Sequence, residues 1–202
     1  MRTPNKHQQR TEHTRQKLLD AGLHVFARDG FEAARIEDIA AAAGHTRGAF
    51  YANFETKEDL FLVLLEQQGV KRVAELHAVL ERRRSPEEAL KALRGLYVKR
   101  ADDPRWIMLT LEFKLFALRH GKVRAKLAAA HRRIRASMNF DAITKFLPAR
   151  LFDAKTRETC KVMLEVALYG LLLEHAYDPK RISRPQVANL LRQIFDMVVS
   201  KG

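Results

Sequence analysis

The chain has 202 residues, 47% of them hydrophobic and 30% charged, which is enough apolar material to bury a core and excludes a disordered chain. A single cysteine, Cys160, excludes an intramolecular disulfide framework, and no apolar run reaches the roughly 20 residues that a membrane span requires. The N-terminus is polar and lacks a signal-peptide core, so we expect a cytoplasmic protein without membrane contact.

The formal net charge of +13 favours nucleic acid as a partner, but its distribution does not locate the site. Residues 1–60 carry nine Lys or Arg and nine Asp or Glu, whereas residues 61–202 carry 28 and 15. Near the N-terminus the bias is local, because five basic residues face only Glu12: Arg2, Lys6, Arg10, Arg15 and Lys17. This segment is either a flexible arm for a phosphate backbone or a solvated, mobile tail.

Apolar residues recur at helical spacing throughout, which predicts an all-α fold of about nine helices. The first helix is expected over residues 14–28 and the second over 35–42, with Gly30 and Gly44 after their ends. Thr46 caps a third helix over 47–52, and Thr56 opens a fourth that continues to about residue 84. These elements predict a small domain over residues 1–55 and a larger one over 56–202.

Residues 36–54 have the steric pattern of a helix-turn-helix. Gly44 permits the tight turn, and Phe50 and Phe54 anchor the following helix from beneath. Four residues are left to point outward, where a short helix fits a DNA major groove: Arg47, Gly48, Ala49 and Tyr51.

Five segments resemble the DNA-binding domain of the TetR family, in order and spacing, over about residues 11–60. They are Leu18-Leu-Asp-Ala-Gly, Phe26-Ala-Arg-Asp-Gly-Phe31, Asp38-Ile-Ala, Arg47-Gly-Ala-Phe-Tyr-Ala-Asn-Phe54 and Lys57-Glu-Asp-Leu60. The resemblance implies that Tyr51 and Lys57 hold phosphates, while Thr46, Arg47, Gly48 and Ala49 approach groove edges and backbone. Arg35 stands where the family often has Thr or Ser, so its charge is expected to supply that phosphate contact. His45, in the turn, is either a packing residue or a groove contact.

The stretch from Trp106 to Leu118 is apolar on most of its circumference, which predicts a helix buried on several sides. Glu112 within it either pairs with a neighbouring Arg or Lys or faces a ligand cavity. With Glu112, the candidate ligand-lining residues are Trp106, Phe113, Phe116, Met138, Met163 and Tyr169, and each of these six is otherwise plain core. We expect a small, largely apolar effector.

Residues 119–135 contain seven Lys or Arg and two His with no acidic residue. This basic stretch either meets an anionic ligand, such as a fatty acyl thioester of coenzyme A, or is a solvated face that attracts DNA at long range.

Two apolar stripes are typical of helix-bundle seams. From Cys160 to Leu172 the stripe contains Cys160, Met163, Leu164, Ala167, Leu168, Leu171 and Leu172, and from Val187 to Val198 it contains Val187, Leu190, Leu191, Ile194, Phe195 and Val198. The resemblance implies that these eighth and ninth helices pair with a second subunit in a homodimer, although the stripes also suit burial within one chain.

These patterns and the resemblance predict a helix-turn-helix DNA-binding domain over residues 1–55 and a ligand-binding and dimerisation domain over 56–202. The function expected from them is that of a sequence-specific transcriptional regulator, a repressor that a small, largely apolar ligand releases from its operator. The alternative is a helix-turn-helix DNA-binding protein without an inducer. No motif of a catalytic, metal or cofactor site is present, and Cys160 lies on an apolar stripe, so we expect neither an enzyme nor a cofactor.

Overall fold

A computed structural model describes residues 5–82, 85–136 and 153–200 of the chain. Across these ranges the fold is all-α without a strand, as predicted. Nine α-helices are present there: α1 Lys6–Asp29, α2 Ile36–Ala42, α3 Arg47–Tyr51, α4 Lys57–Leu80, α5 Pro86–Lys99, α6 Pro104–Arg119, α7 Gly121–Ala136, α8 Ala154–Tyr177 and α9 Arg184–Phe195. A 3-10 turn covers Arg100–Asp102, and a π-helical turn covers Asp196–Ser200. None of the helices in these ranges combines the length and the apolar character needed to cross a membrane.

The first helix begins at Lys6, eight residues before the predicted start. The side chain of Asn5 accepts from the backbone N–H of Gln8, and the side chain of Gln8 accepts from that of Asn5, which forms a capping box. The expectation of a flexible basic arm is therefore wrong from Lys6 onward. Arg15 packs its guanidinium 4.4 Å from the Phe54 ring centroid and donates to the Asn53 carbonyl at 3.0 Å. Arg2 lies outside the described residues.

The chain divides into two compact units, each built from two stretches of sequence. The first contains the described residues of Met1–Gly69 and Glu112–Arg135, and the second those of Val70–Leu111 and Ala136–Gly202. Residues 112–135 thus belong with the helix-turn-helix segment. The functional division at residue 55 stays a prediction.

An aromatic cluster forms the core of the first unit, joining α1, α4 and α6 to the loop between α1 and α2. Phe31 and Phe61 lie 4.7 and 4.3 Å, centroid to centroid, from the Phe113 ring. Phe26 packs against both Phe31 and Phe61, at 5.3 and 5.6 Å. Because these four rings are 0–1% exposed, their burial is a large apolar contribution to the stability of this unit.

In the second unit, α8 and α9 pack on each other and α9 packs on α5. The buried side chains of α8 and α9 include Leu168, Leu172, Val187, Leu191 and Phe195. Tyr97 of α5 packs its ring 5.9 Å from Phe195 and donates its hydroxyl to the Leu164 carbonyl at 2.8 Å. Burial raises the pKa of Tyr97 to about 12.

The predicted seams of α8 and α9 are therefore largely used within one chain. A different stripe of α8 is exposed, and its positions recur at helical spacing: Val162, Val166, Leu173 and Tyr177, at 51%, 65%, 48% and 86% exposure. The predicted stripe did not include these residues. Together with Met163 of the predicted stripe, which is 52% exposed, these residues, and not the buried Leu168, are the α8 side chains available to a second subunit.

The α6 helix is less buried than its composition indicates. Leu115 and Leu118 are 58% and 65% exposed, and Glu112 is also exposed, whereas Phe113 and Ala117 are buried. The expectation of burial on several sides is wrong at these exposed positions, because only one face of this part of the helix is covered within the chain.

Candidate DNA-binding surface

The turn between α2 and α3 depends on Gly44, whose φ of 70° is unfavourable for any residue with a Cβ. The backbone N–H of Gly44 donates to the Ala41 carbonyl at 3.0 Å, and that of His45 to the Ala40 carbonyl at 2.9 Å. The Nε2 atom of His45 is buried and has no hydrogen-bond partner among the described residues. This burial favours the packing role of His45.

The α3 helix is short, but both its start and its underside are fixed. The Thr46 hydroxyl accepts from the Ala49 N–H at 3.3 Å and caps the first turn. Phe50 is fully buried beneath the helix and lies 5.7 Å, centroid to centroid, from the Phe54 ring. The opposite face exposes Thr46, Arg47, Gly48 and Tyr51, with Ala49 half-buried.

Arg47 is held in place by two neighbours. One guanidinium nitrogen lies 2.9 Å from a Glu37 carboxylate oxygen, and another donates to the Tyr51 hydroxyl at 3.1 Å. The Arg35 Nε lies 3.8 Å from the other Glu37 oxygen. Glu37 therefore organises both arginines, a role that the motif did not indicate because its importance depends on the turn that brings α2 and α3 together.

These arginines border an open depression of about 410 Å³ between the starts of α2 and α4 and the exposed side of α3. It is lined by Ala34, Arg35, Ile36, Glu37, Arg47, Tyr51, Glu55, Thr56, Lys57 and Glu58. Arg35 is the N-cap residue of α2, but its side chain makes no capping hydrogen bond. The backbone N–H groups in the first turn of α2 therefore receive no acceptor from Arg35. Such donors beside two guanidinium groups and a phenol suit phosphate oxygens.

The Lys57 ammonium is occupied by hydrogen bonds within the chain, whereas a phosphate contact requires a free donor. It donates to the backbone carbonyls of Phe31, Glu32 and Ala34, at 2.9, 2.6 and 3.0 Å. These bonds use all three of its protons. Burial lowers the pKa of Lys57, against the opposing effect of Glu58 and Glu32. A phosphate role for Lys57 stays a prediction, and it would require exchange of at least one of these carbonyl partners.

The predicted effector-lining residues are divided between the two units. Phe113 belongs to the aromatic core of the first, and Phe116 is half-buried beside it, 5.1 Å from the Phe31 ring. Trp106, Met163 and Tyr169 belong to the second, where Trp106 is buried, Tyr169 is half-buried and Met163 is 52% exposed. Met138 lies outside the described residues.

Glu112 is exposed, so it is not the buried, paired carboxylate that one reading of its sequence context suggested, and a ligand contact for it stays a prediction. One of its carboxylate oxygens accepts from the backbone N–H of Phe31 at 2.8 Å, so its described polar partner is a main-chain group. The same oxygen lies 3.0 Å from the position that a Cβ on Gly30 would occupy. The expectation of a buried carboxylate paired with Arg or Lys is therefore wrong.

Comparison with known proteins agrees with this geometry. Residues 18–64 match the family model of bacterial regulatory proteins, tetR family. The chain is 43% identical over 61 residues to the HTH-type transcriptional regulator AcrR of Shigella flexneri, covering 30% of this chain and 28% of that protein. It is 30% identical over 102 residues to the HTH-type transcriptional repressor AcnR of Corynebacterium glutamicum, covering 49% and 48%. The matched segments thus span less than half the length of these relatives.

Solved structures match almost the whole chain in fold, at low identity. The fatty acid degradation regulator FadR of Bacillus halodurans superposes with a TM-score of 0.72 and 18% identity, over 99% of this chain and 98% of its own. FadR of Bacillus subtilis, solved in complex with stearoyl-CoA, gives 0.66 and 16%, over 92% and 97%. The helix-turn-helix, the capped α3 and the family match identify residues 18–64 as a DNA-binding domain of the bacterial regulatory proteins, tetR family, and the solved structures show that the chain shares the fold of such regulators.

Proposed function

We propose that the chain is a sequence-specific transcriptional repressor that binds double-stranded operator DNA through α3. The observation that carries this proposal is the exposed face Thr46 to Tyr51, presented by a helix that a glycine turn and two buried phenylalanines hold rigidly. A helix of this kind fits a major groove about 12 Å wide. Arg47 supplies base readout after exchanging Glu37 for a base edge, and Arg35 and Tyr51 supply phosphate contacts. A cytoplasmic location follows from this role.

The proposed repressor is a homodimer, because one five-residue recognition helix reads too few base pairs to find a single genomic site. The exposed α8 stripe Val162, Val166, Leu173 and Tyr177 supports this proposal. A Cβ on Gly170, between these positions, would meet nothing within 4 Å, so the stripe has room for a closely packed helix. Beside it is an apolar-lined depression of about 600 Å³, formed by the start of α8, the end of α9 and the π-helical turn that follows, where Met197 is 56% exposed.

The proposed effector is a small, largely apolar molecule that weakens operator binding. Two neighbours in fold support this class, since one is solved with stearoyl-CoA and another with triclosan. An effector acts only if it prefers the conformation that does not bind DNA, and a coupling of about 1–3 kcal/mol changes affinity by roughly 5- to 150-fold. The alternative is a helix-turn-helix protein that binds DNA without an inducer.

Selection of high-affinity duplexes from a random DNA library, followed by affinity measurement with the purified chain, tests the DNA-binding proposal. We expect a two-fold-symmetric consensus, and we expect Arg47→Ala to cost about 1–3 kcal/mol and to relax one base preference. Arg28→Ala is the matched control, because Arg28 lies outside α3 and pairs with the adjacent Asp29. A wild-type chain that enriches no sequence contradicts the proposal.

Triclosan and stearoyl-CoA are the first probes for the effector. Each is tested for a rise in the melting temperature of the chain, and then for its effect on affinity for the selected duplex. A probe that stabilises the chain and weakens DNA binding supports the inducer model. Stabilisation with unchanged DNA affinity for every such ligand favours the alternative without an inducer.

A further inference from the structure

The positive charge of the first unit does not come from its helix-turn-helix segment. Met1–Gly69 contains nine Lys or Arg and ten Asp or Glu, a net charge of −1. Glu112–Arg135 contains eight Lys or Arg and one Glu, a net charge of +7. Folding therefore brings a strongly basic segment into the compact unit whose recognition helix must approach a polyanion.

Three contacts fix α7 along the first half of α4. Lys126 Nζ lies 2.6 Å from an Asp59 carboxylate oxygen, and Arg133 Nε donates to a Glu66 oxygen at 2.9 Å. Further along, a Cβ on Gly69 would meet Ile134 side-chain atoms at 2.7–2.8 Å, so the two helices approach closely there. The partners advance by seven residues on each helix, so α4 and α7 run in the same direction.

The shared direction places the N-terminal end of α7 at the N-terminal end of α4. Lys122 precedes Lys126 by one helical turn, about 6 Å toward the start of α4 at the helical rise of 1.5 Å per residue. The residues at that start, Glu55 to Glu58, line the depression beside Arg35, Arg47 and Tyr51. Glu55 and Glu58 are also close enough to Lys126 to act on its charge.

The turn between α6 and α7 is attached to the same region. The His120 ring stacks on Phe116 at 3.9 Å and lies 2.8 Å from the Phe116 carbonyl through Nδ1. Phe116 in turn packs against Phe31, in the loop that precedes α2. The basic turn is therefore held against both the α1–α2 loop and the start of α4.

Three basic residues of this turn, Arg119, Lys122 and Arg124, form what we call the α6–α7 corner. All three are exposed, and within residues 5–82, 85–136 and 153–200 none makes an ion pair or a side-chain hydrogen bond. Lys126 and Arg133, in contrast, are neutralised by acidic residues of α4. The corner is thus the part of the basic stretch that is available to an external anion at the start of α7, whereas Arg132, which is also exposed, lies two turns further along this helix.

We propose that the α6–α7 corner is a second phosphate-binding surface for DNA, which supplements the helix-turn-helix. The proposal rests on the proposed DNA-binding function. A helix-turn-helix segment of net charge −1 attracts a polyanion only weakly at long range, whereas three exposed cations at this end of the unit add attraction and counterion release. Because phosphates are the same at every step of the duplex, the corner adds affinity without adding sequence preference.

The test replaces the corner by glutamines, as Arg119→Gln, Lys122→Gln and Arg124→Gln in one variant. The control variant carries Arg82→Gln, Lys91→Gln and Arg105→Gln, three exposed cations of the second unit, with the same change of charge. Affinity is measured over a range of salt for the selected operator and for a duplex of about 30 base pairs of unrelated sequence, long enough for two half-sites. Melting curves confirm that both variants fold, as expected for exposed positions.

The corner variant is expected to bind both duplexes about tenfold or more weakly than the wild-type chain at low salt. The slope of log affinity against log salt should fall by about 0.9 for each phosphate that the variant no longer neutralises. The control variant should keep the wild-type slope.

A corner variant whose affinity and slope match those of the control overturns the proposal. So does a corner variant that keeps DNA binding but fails to bind stearoyl-CoA, because the anion would then be the effector. A wild-type chain that binds neither duplex overturns the proposed function itself.

Discussion

At the scale of single residues, the loop between α1 and α2 is held by two side chains from distant helices. Lys57 donates to three of its carbonyls, and Glu112 accepts the N–H of Phe31. The Lys57 ammonium also lies 5.1 Å from the centroid of the Phe31 ring. These contacts satisfy backbone groups that have no partner in a helix, and they fix the residues that lead into α2.

Replacement of Lys57 is predicted to destabilise the chain and not only to weaken DNA binding. Lys57→Met leaves three carbonyls without their donor, at a cost of about 1–3 kcal/mol in the free energy of unfolding. Lys17→Met is the control, because Lys17 is exposed on α1 and no bond of its side chain is described. Urea unfolding of both variants measures the difference. Equal stability of the two, with weaker DNA binding for Lys57→Met alone, would instead support the phosphate role.

Two substitutions of Glu112 are predicted to lower the stability of the chain by different amounts. Glu112→Ala removes the acceptor for the Phe31 N–H and should cost about 1–2 kcal/mol of unfolding free energy. Glu112→Gln keeps an oxygen acceptor but removes the charge, so it should cost about half as much. Denaturation midpoints measure both effects. Wild-type stability of the alanine variant would show that this hydrogen bond contributes nothing.

At the scale of elements, the association of α7 with α4 determines which residues share a unit with the recognition helix. Two ion pairs and the close approach at Gly69 hold the helices together. The ion pairs are largely exposed and contribute about 0–1 kcal/mol each, so apolar packing fixes the position of α7. Its most constrained point is the contact between Gly69 and Ile134.

Gly69→Val is predicted to lower the free energy of unfolding by about 1–3 kcal/mol, because its added carbons would overlap Ile134. Gly95→Val in α5 is a matched control, since a Cβ there would meet nothing within 4 Å. The control should be neutral or slightly stabilising, as valine is the better helix former. Ile134→Ala in the Gly69→Val background should recover part of the stability. Equal stability of the two valine variants would contradict the close approach of α4 and α7.

The elements near the motif could be predicted from the sequence, and the contacts between distant segments could not. Gly44, Thr46, Phe50 and Phe54 have local roles that spacing reveals, and the structure confirms each. Glu112 and Lys57 act on a backbone that is 81 and 23–26 residues away, which no local pattern indicates. The sequence does not reveal which apolar residues of α8 are exposed, because such residues lie on both its buried and its exposed face, as Leu168 and Val166 do. The predicted start of α1 at residue 14 is too late, although Asn5 and Gln8 have the spacing of a capping box.

At the scale of the whole molecule, the proposed operator recognition requires two copies of the chain. The exposed positions Val162, Val166, Leu173 and Tyr177 form one stripe on α8, and an apolar stripe of this kind on a helix is typical of a surface that another helix covers. Two-fold pairing of this stripe would give the proposed dimer two recognition helices, one from each copy.

Val166→Arg is predicted to convert the proposed dimer into a folded monomer of 23.2 kDa, because it places a charge on the exposed stripe without disturbing the core. Leu168, two residues away, is fully buried in the wild-type chain, so Leu168→Arg should instead unfold it. Val70→Arg, at an exposed position of α4, serves as the charge control. Light scattering gives the mass and circular dichroism the helix content. A dimeric Val166→Arg variant would exclude this face as the interface.

Hydroxyl-radical footprinting of the wild-type chain on its selected operator tests operator recognition by two copies of α3 most directly. We expect two protected segments about one helical turn, roughly 34 Å, apart on the same face of the duplex, related by two-fold symmetry. Both should disappear together in the Arg47→Ala variant at a concentration that saturates the wild-type site. A single protected segment, uniform protection without register, or a pattern that Arg47→Ala leaves unchanged would contradict this mode of recognition.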